Sequence, residues 1–196
     1  MALVRTEAPS GDVVAPVDLY AHLRVDLIDG ALAPDDADDI AALHRAAVEY
    51  LDGADGILNR ALLTQKWELR IDWFHPRIEI PLPPLQSVDE VRYIDTAGTE
   101  QTLPPDTCRV IGNGTMPSEI VPAHGMAWPC VLNTPQAVTI AFTCGYGAAT
   151  DIPAPISQAV KLMVGEYYSR REATAGHTVT ELPLGVGALL ASYRVG

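Results

Sequence analysis

The sequence has 196 residues, of which 48% are hydrophobic and 19% are charged, a composition typical of a folded chain with a hydrophobic core. Asp and Glu outnumber Lys and Arg by 25 to 13, and the formal net charge is −12. This balance argues against a protein whose main activity is to grip DNA, because such proteins neutralise phosphates with Lys and Arg. The three cysteines form no C-x-x-C pair, so neither a disulfide framework nor a zinc site is predicted.

The acidity is concentrated at the N-terminal end. Residues 1–56 contain twelve acidic residues against Arg5, Arg24 and Arg45. No long apolar segment follows Met1, so we expect no signal peptide. The uncharged stretch 120–150 is interrupted too often by Pro and Gly to span a membrane.

Two helices are predicted in the N-terminal part. Asp18 is a candidate N-cap for the first, short helix. The second follows Pro34 and the acidic run 35–39, because apolar residues recur at helical spacing over 40–51. Gly53 is suited to end this helix, since glycine tolerates the left-handed conformation of a C-cap.

From residue 66 the hydrophobic period changes from that of a helix to that of a strand. Trp67, Leu69 and Ile71 alternate with polar residues, which predicts a half-buried strand. Further strands are predicted at 77–80, 88–95, 99–103, 107–111, 118–121 and 137–144. Residues 95–98 have the composition of a hairpin turn.

Helices return after Pro153 and Pro155, first as an apolar stripe that runs to about Arg171 and then as a short helix over 184–193. This order predicts an α+β fold with a helical core, made of the N-terminal and C-terminal helices, and an inserted small antiparallel β module. The chain is predicted to be a single domain (1–196), with an N-terminal helical part at 15–62, the inserted β module at 63–147, and C-terminal helices and tail at 153–196.

Residues able to carry chemistry are not grouped into a recognisable site. The carboxylates before the second helix are Asp35, Asp36, Asp38 and Asp39. They resemble a calcium ligand set, but Ile40 stands where an EF-hand requires glycine, and the helix dipole explains them better. Cys144 precedes Gly-Tyr-Gly without a nucleophile elbow or an assignable histidine, so a buried structural thiol is favoured. No catalytic, cofactor or metal site is predicted.

Ordered motifs extend along nearly the whole chain. The first half contains Ala21-His-Leu-Arg-Val-Asp26, Arg60-Ala-Leu-Leu-Thr-Gln-Lys-Trp67, Ile80-Pro-Leu-Pro-Pro-Leu-Gln-Ser-Val88 and Tyr93-Ile-Asp95. The second half contains Ile120-Val-Pro-Ala-His-Gly125, Trp128-Pro129, Phe142-Thr-Cys-Gly-Tyr-Gly147, Ile152-Pro-Ala-Pro-Ile156, Leu182-Pro-Leu184 and Tyr193-Arg-Val195. In this order they resemble the head-tail connector (adaptor) proteins of tailed phages, a family that includes gene transfer agent adaptors.

The resemblance implies a structural virion protein rather than an enzyme, with no cofactor. Such proteins assemble as a homo-oligomeric ring, expected to be a dodecamer, under the portal protein. The ring extends the DNA channel and links the capsid to a stopper or tail-completion protein. DNA is expected to pass through the lumen without specific binding, and no membrane is involved. The expected location is the neck of a virion or phage-like particle, after assembly in the cytoplasm of the bacterial host.

Three groups of residues are candidates for this role. The resemblance places the portal contact in the amphipathic tail at Leu189, Tyr193, Arg194 and Val195, where Tyr and Arg are frequent interface anchors. An assembly loop that orders on ring formation is predicted at Thr174, Gly176, His177, Thr178 and Glu181. Asp35, Asp36, Asp38 and Asp39 are candidates to face the lumen, where carboxylates would keep a polyanion from adhering to the wall. A frayed last helix is the alternative for the tail.

Two other function classes remain as alternatives at this stage. One is a small hydrolase or transferase with a site centred on Cys144, which requires a histidine within hydrogen-bond reach of the thiol. The other is a protein-binding module unrelated to particles. It would remain monomeric beside a portal ring.

Overall fold

The computed structural model describes residues 1–25, 34–112, 114–170 and 184–195. The strands are β1 (Ala2–Glu7), β2 (Gln65–Ile71), β3 (Ile78–Ile80), β4 (Leu85–Ile94), β5 (Glu100–Thr102), β6 (Cys108–Ile111), β7 (Ser118–Pro122) and β8 (Val138–Cys144). The helices are α1 (Pro16–Leu23), α2 (Pro34–Leu51), α3 (Ala154–Arg170) and α4 (Leu184–Leu190). Short 3₁₀ turns occupy Pro105–Thr107, Ala149–Asp151 and Ala191–Tyr193.

The described strands form two antiparallel sheets. The larger has the order β1-β2-β8-β4-β5, and the smaller has the order β3-β7-β6. In the larger sheet Trp67 lies opposite Phe142, so the alternating apolar residues of β2 and β8 share one face. The β4–β5 hairpin turns at the predicted place, where the Asp95 carboxylate accepts hydrogen bonds from the Ala97 and Thr99 amides at 2.9 and 3.0 Å.

One hydrophobic core lies where the two sheets meet. The larger sheet contributes Leu69, Ile140 and Phe142, and the smaller contributes Ile80 and Ile120. All five side chains are almost completely buried. The strict apolar and polar alternation of β2 follows from this packing, since only one face of that strand is covered.

A second hydrophobic core lies among the helices. The apolar stripe of α3 packs against α2 and α4, and its Ile156, Val160 and Val164 side chains are fully buried. Val186 and Leu190 hold α4 in the same core. None of the helices within the described residues is both long and apolar enough to cross a membrane.

The predicted arrangement of a helical core with a small inserted β module is wrong. β1 precedes every helix and pairs with β2, so the larger sheet draws strands from both sides of α1 and α2. With sheets of five and three strands and a hydrophobic core of its own, the β structure is not a small insertion. The sequence pattern missed β1 because it is an edge strand whose residues from Val4 to Glu7 are all exposed, which removes the alternation.

The predicted helices are present with shifted ends. α1 begins at Pro16, so Asp18 lies in its first turn and does not cap it. α2 ends at Leu51, and Gly53 follows with φ of 80°, as expected for a glycine after a helix. Gly145, with φ of 116°, follows β8 at a point where a Cβ would collide with the Leu63 carbonyl. This close contact explains the glycine after Cys144 without any catalytic turn.

Candidate assembly surfaces

The C-terminal segment is held against the body of the protein by its own backbone. The Val195 amide donates a hydrogen bond of 3.0 Å to the Leu58 carbonyl. The Asn59 side-chain amide donates one of 2.8 Å to the Val195 carbonyl. Leu189 and Tyr193 are half-buried against the helical core. The last residues therefore have a defined path along the segment 58–60.

Arg60 is the residue that joins this tail to the rest of the fold. It is only 3% exposed. Its Nε donates to the Tyr193 carbonyl at 3.0 Å, and its Nη2 donates to the Thr115 carbonyl at 2.8 Å. Its guanidinium also lies 5.9 Å from the centre of the Tyr146 ring. Three chain segments, at 115, 146 and 193, thus meet around one buried cation.

The environment of Arg60 explains why an arginine occupies this position. A buried charge is tolerated when its donors are satisfied, and the planar guanidinium can serve two carbonyls in fixed directions. Burial raises the pKa of the Tyr146 hydroxyl, while the Arg60 charge partly opposes that increase. The sequence gives one signal for this buried cation. In the run 57–63 all residues except Asn59 and Arg60 are apolar, and a cation within an apolar run is often buried with partners.

The four tail residues predicted to contact a portal differ in their surroundings. Leu189, Tyr193 and Val195 are partly covered by the chain itself, whereas Arg194 is exposed. The Arg194 side chain makes no hydrogen bond or ion pair with the part of the chain that the structure describes. Of the four, Arg194 is therefore the side chain most available to a partner.

The other two predicted groups are placed only in part. Asp38 and Asp39 are exposed and Asp36 is half-buried, all in the first turns of α2. There the helix dipole stabilises carboxylates. The Asp35 side chain lies outside the described residues. The whole predicted assembly loop, Thr174, Gly176, His177, Thr178 and Glu181, also lies outside them.

A polar network at Asp52 connects the end of α2 to β2. The Asp52 carboxylate accepts hydrogen bonds from the Leu62 amide at 2.7 Å and from the Gln65 side chain at 3.0 and 3.1 Å. Gln65 in turn accepts one of 3.0 Å from the Trp67 indole. Arg5 lies 3.8 Å from Asp52 and covers the Trp67 ring at 5.4 Å. The network fixes β1, β2 and α2 relative to one another.

Burial raises the pKa of Asp52, and its hydrogen bonds and Arg5 only partly oppose this. A raised folded-state pKa means that the contribution of this carboxyl to stability is full below its unfolded pKa of about 4 and is lost as pH rises through the folded value. We therefore expect Asp52→Asn to become more stable relative to the native protein as the pH rises from the unfolded pKa of Asp52 to its higher folded pKa. Denaturant unfolding at a series of pH values measures this, with the exposed Asp55→Asn as control. If the difference in unfolding free energy between Asp52→Asn and the native protein did not change with pH, the expectation would be wrong.

Cys144 lacks the environment of a nucleophile. Its side chain is fully buried in β8. Burial raises its pKa to about 12, and Asp52 and Asp89 add to the increase. No histidine in the described ranges is hydrogen-bonded to this thiol. The buried His44 instead accepts a hydrogen bond of 3.4 Å from the Val14 amide at its Nε2. Within the described residues, no histidine serves as the partner that a Cys144-centred hydrolase or transferase requires.

We expect the native protein to show one fast-reacting thiol when treated with a thiol-specific reagent at neutral pH. Cys130 is exposed and should react first, whereas Cys108 is half-buried. The reactive form of a cysteine is the thiolate, which the raised pKa of the buried Cys144 disfavours, so Cys144 should react only on unfolding. Peptide mapping after timed alkylation measures the order. Fast labelling of Cys144 in the native state would contradict the assignment.

Among the described residues, no three His, Cys, Asp or Glu side chains are grouped as metal ligands.

The fold is shared with chains of gene transfer agent particles. No family model matches the sequence, and no curated protein matches it significantly. A chain in the structure described as "Neck of empty GTA particle computed with C6 symmetry" has a TM-score of 0.77 and 23% identity, over 100% of this chain and 96% of that chain. A chain in "Virion of native gene transfer agent (GTA) particle" has the same TM-score and coverage, with 26% identity.

A third structure, "Neck of native GTA particle computed with C12 symmetry", contains a chain with a TM-score of 0.61 and 23% identity, covering 97% of this chain and 96% of that one. Over essentially its full length, the chain described here has the fold of chains found in the neck and virion of gene transfer agents.

Proposed function

We propose that this chain is a structural head-tail component: an adaptor subunit that forms a ring under a portal, extends the DNA channel, and links the capsid to a stopper or tail protein. The observation that carries the proposal is the full-length likeness to chains of gene transfer agent necks and virions. The motifs along the sequence point independently to the same class of protein.

The symmetry of the related particles supports a ring. Their necks were computed with C6 and C12 symmetry, which requires several copies of each component around one axis. A ring of identical subunits needs a head-to-tail contact that closes on itself. The proposed number of copies is twelve. The assembly loop predicted at Thr174, Gly176, His177, Thr178 and Glu181 remains part of the proposal.

The charge of the chain suits a conduit that does not hold its cargo. The exposed Asp38 and Asp39 belong to the acidic N-terminal part, and carboxylates around a lumen repel the phosphates of passing DNA. We place these residues at or near the channel wall. A density map of the neck that put them on the outer surface would overturn that placement.

The portal contact is assigned to the C-terminal tail and is tested first by a surface change that spares the fold. Because Arg194 is exposed, Arg194→Glu should alter the free energy of unfolding by no more than about 0.5 kcal/mol. We expect it to reduce the fraction of DNA-filled heads that carry a neck and tail, counted by electron microscopy. Deleting residues 192–196 should reduce attachment more strongly. Because the deletion also removes the Tyr193 carbonyl that accepts from the buried Arg60, its unfolding free energy is measured beside that of Arg194→Glu.

A matched control is Arg109→Glu, because Arg109 is also exposed but lies in β6. Particles with Arg109→Glu should attach the chain to the portal normally. Full attachment of tails after the deletion would contradict the assignment of the tail. Absence of the native chain from purified particles would contradict the function itself.

A further inference from the structure

Residues 8–15 join β1 to α1 and lie beside α2, and we call this segment the strap. Val13 and Val14 are each 3% exposed and belong to the hydrophobic core among the helices. From residue 8 to residue 12 the strap is exposed, apart from the half-buried Pro9. Apart from its continuity with β1, the strap is therefore attached to the protein mainly through Val13 and Val14.

A cavity of about 520 Å³ lies between the exposed part of the strap and α2. Pro9, Gly11 and Asp12 line it on the strap side, and His44 and Val48 line it on the helix side. This part of the strap spans an open space and does not pack closely on the helix. Its position consequently depends on few contacts.

His44 supplies the polar contact that holds the strap to α2. Its side chain is only 6% exposed. Its Nε2 accepts a hydrogen bond of 3.4 Å from the Val14 amide, so the proton of the neutral ring is on Nδ1. Nδ1 lies 3.7 Å from the Asp12 carboxylate. Both ring nitrogens therefore face groups of the strap.

Several other charged side chains border the same cavity. They are Arg5 of β1, Arg45 and Glu49 of α2, and Asp52 and Asp55 after it. In the part of the chain that the structure describes, no residue of α1 or α3 lines the cavity. Burial lowers the pKa of His44, and Asp12 opposes this only in part. The Asp12 side chain is 53% exposed, so water and salt screen its attraction for a charged imidazole ring.

We infer that the uptake of a second proton by His44 releases the strap, which makes this segment an acid-sensitive switch between β1 and α1. The proton enters at Nε2, the atom that accepts from the Val14 amide in the closed form. Two N–H donors then face each other at a buried position, and the hydrogen bond that held the strap is lost. Opening exposes the charged ring to water, whereas the burial of Val13 and Val14 favours the closed form.

The direction of the pH effect follows from the protons that the two forms bind. In the open form His44 is hydrated and its pKa is near the ordinary value of about 6.5, whereas in the closed form its pKa is lower. Between these two pKa values the open form binds more protons, so a fall in pH favours opening. Within that interval, each unit of pH raises the ratio of open to closed strap by up to about tenfold.

Hydrogen exchange of the full chain, followed by mass spectrometry, tests the switch. Exchange rates at about pH 7.5 and about pH 5.5 are each divided by the intrinsic chemical rate at that pH, so that the remaining difference reports opening. We expect the protection of the peptide that contains Val13 and Val14 to fall by up to about tenfold at the lower pH. At both pH values this peptide should be less protected than β8, because the strap opens without unfolding of the sheet.

Three variants identify the group that responds to pH. His44→Gln keeps a side-chain acceptor but cannot take up a proton, so its strap should be equally protected at both pH values. His124→Gln replaces an exposed histidine and is the matched control, which should respond as the native protein does. Asp12→Asn removes the charge that stabilises the protonated ring in the closed form, so it should increase the response to pH.

Two results would overturn the switch: equal protection of the native strap at both pH values, or a native pH response in His44→Gln. A strap as well protected as β8 would also overturn it, because the segment would then open only when the whole chain unfolds. Asp12 is exposed, so Asp12→Asn keeps the test decisive if His44→Gln folds poorly. The experiment uses the isolated chain, and its result is therefore independent of the proposed adaptor role.

Discussion

Replacing Arg60 with alanine is expected to lower the free energy of unfolding by about 2–4 kcal/mol, since two charge-assisted hydrogen bonds and a buried packing contact are lost together. The substitution leaves the Tyr193 and Thr115 carbonyls without their donor and removes the cation beside the Tyr146 ring. It should also loosen the end of the chain, because of the hydrogen bonds described above only those at Leu58 and Asn59 would remain to hold it.

Two measurements check this expectation. Denaturant unfolding gives the loss of stability, and limited proteolysis should show faster removal of the last residues in Arg60→Ala. Arg60→Lys is the informative control, because lysine keeps the charge but cannot direct two donors along fixed lines. It should recover only part of the stability. Native resistance of the Arg60→Ala tail to proteolysis would show that the arginine does not hold it.

Replacing Phe142 with alanine is expected to be more damaging, at about 3–5 kcal/mol, because it leaves a cavity in the core between the sheets. Phe142 is fully buried in β8, between Trp67 of β2 and Val88 of β4. Both neighbours lie in strands that are paired with β8, so they cannot move far to fill the space.

Thermal and denaturant unfolding measure this effect. Phe142→Leu should cost less than about 1.5 kcal/mol, since a large apolar side chain is retained. Tyr50→Ala, at a position that is 43% exposed on α2, serves as the surface control and should change stability little. Equal losses in Phe142→Ala and Tyr50→Ala would mean that the sheet core contributes less than its burial indicates.

The elements with a repeating pattern could be predicted from the sequence. β2 and α3 bury one face each, so their apolar residues recur at the strand or helix period. β1 could not be found in this way, because an edge strand with an exposed outer half has no period to detect. Missing β1 made the sheet appear to be an insertion between helices, and the predicted architecture failed for that reason.

The candidate surfaces were predictable to a smaller extent. The tail was identified from its residue types, but the contacts that position it depend on Arg60, which is 133 residues away from Tyr193 in the sequence. Likewise, the strand order of the two sheets is a property of long-range pairing. Local composition contains neither kind of information.

The anchoring of the tail also determines how a pulling force would enter the molecule. The Val195 amide donates to Leu58 and the Tyr193 carbonyl accepts from Arg60, so the tail is bound to the segment 58–60. Leu58 belongs to the helical core, and Ala61, directly after the segment, belongs to the sheet core. Tension applied at the last residues would be divided between two hydrophobic cores, and α4 would carry only part of it. A pull on the tail is therefore resisted by the two cores together.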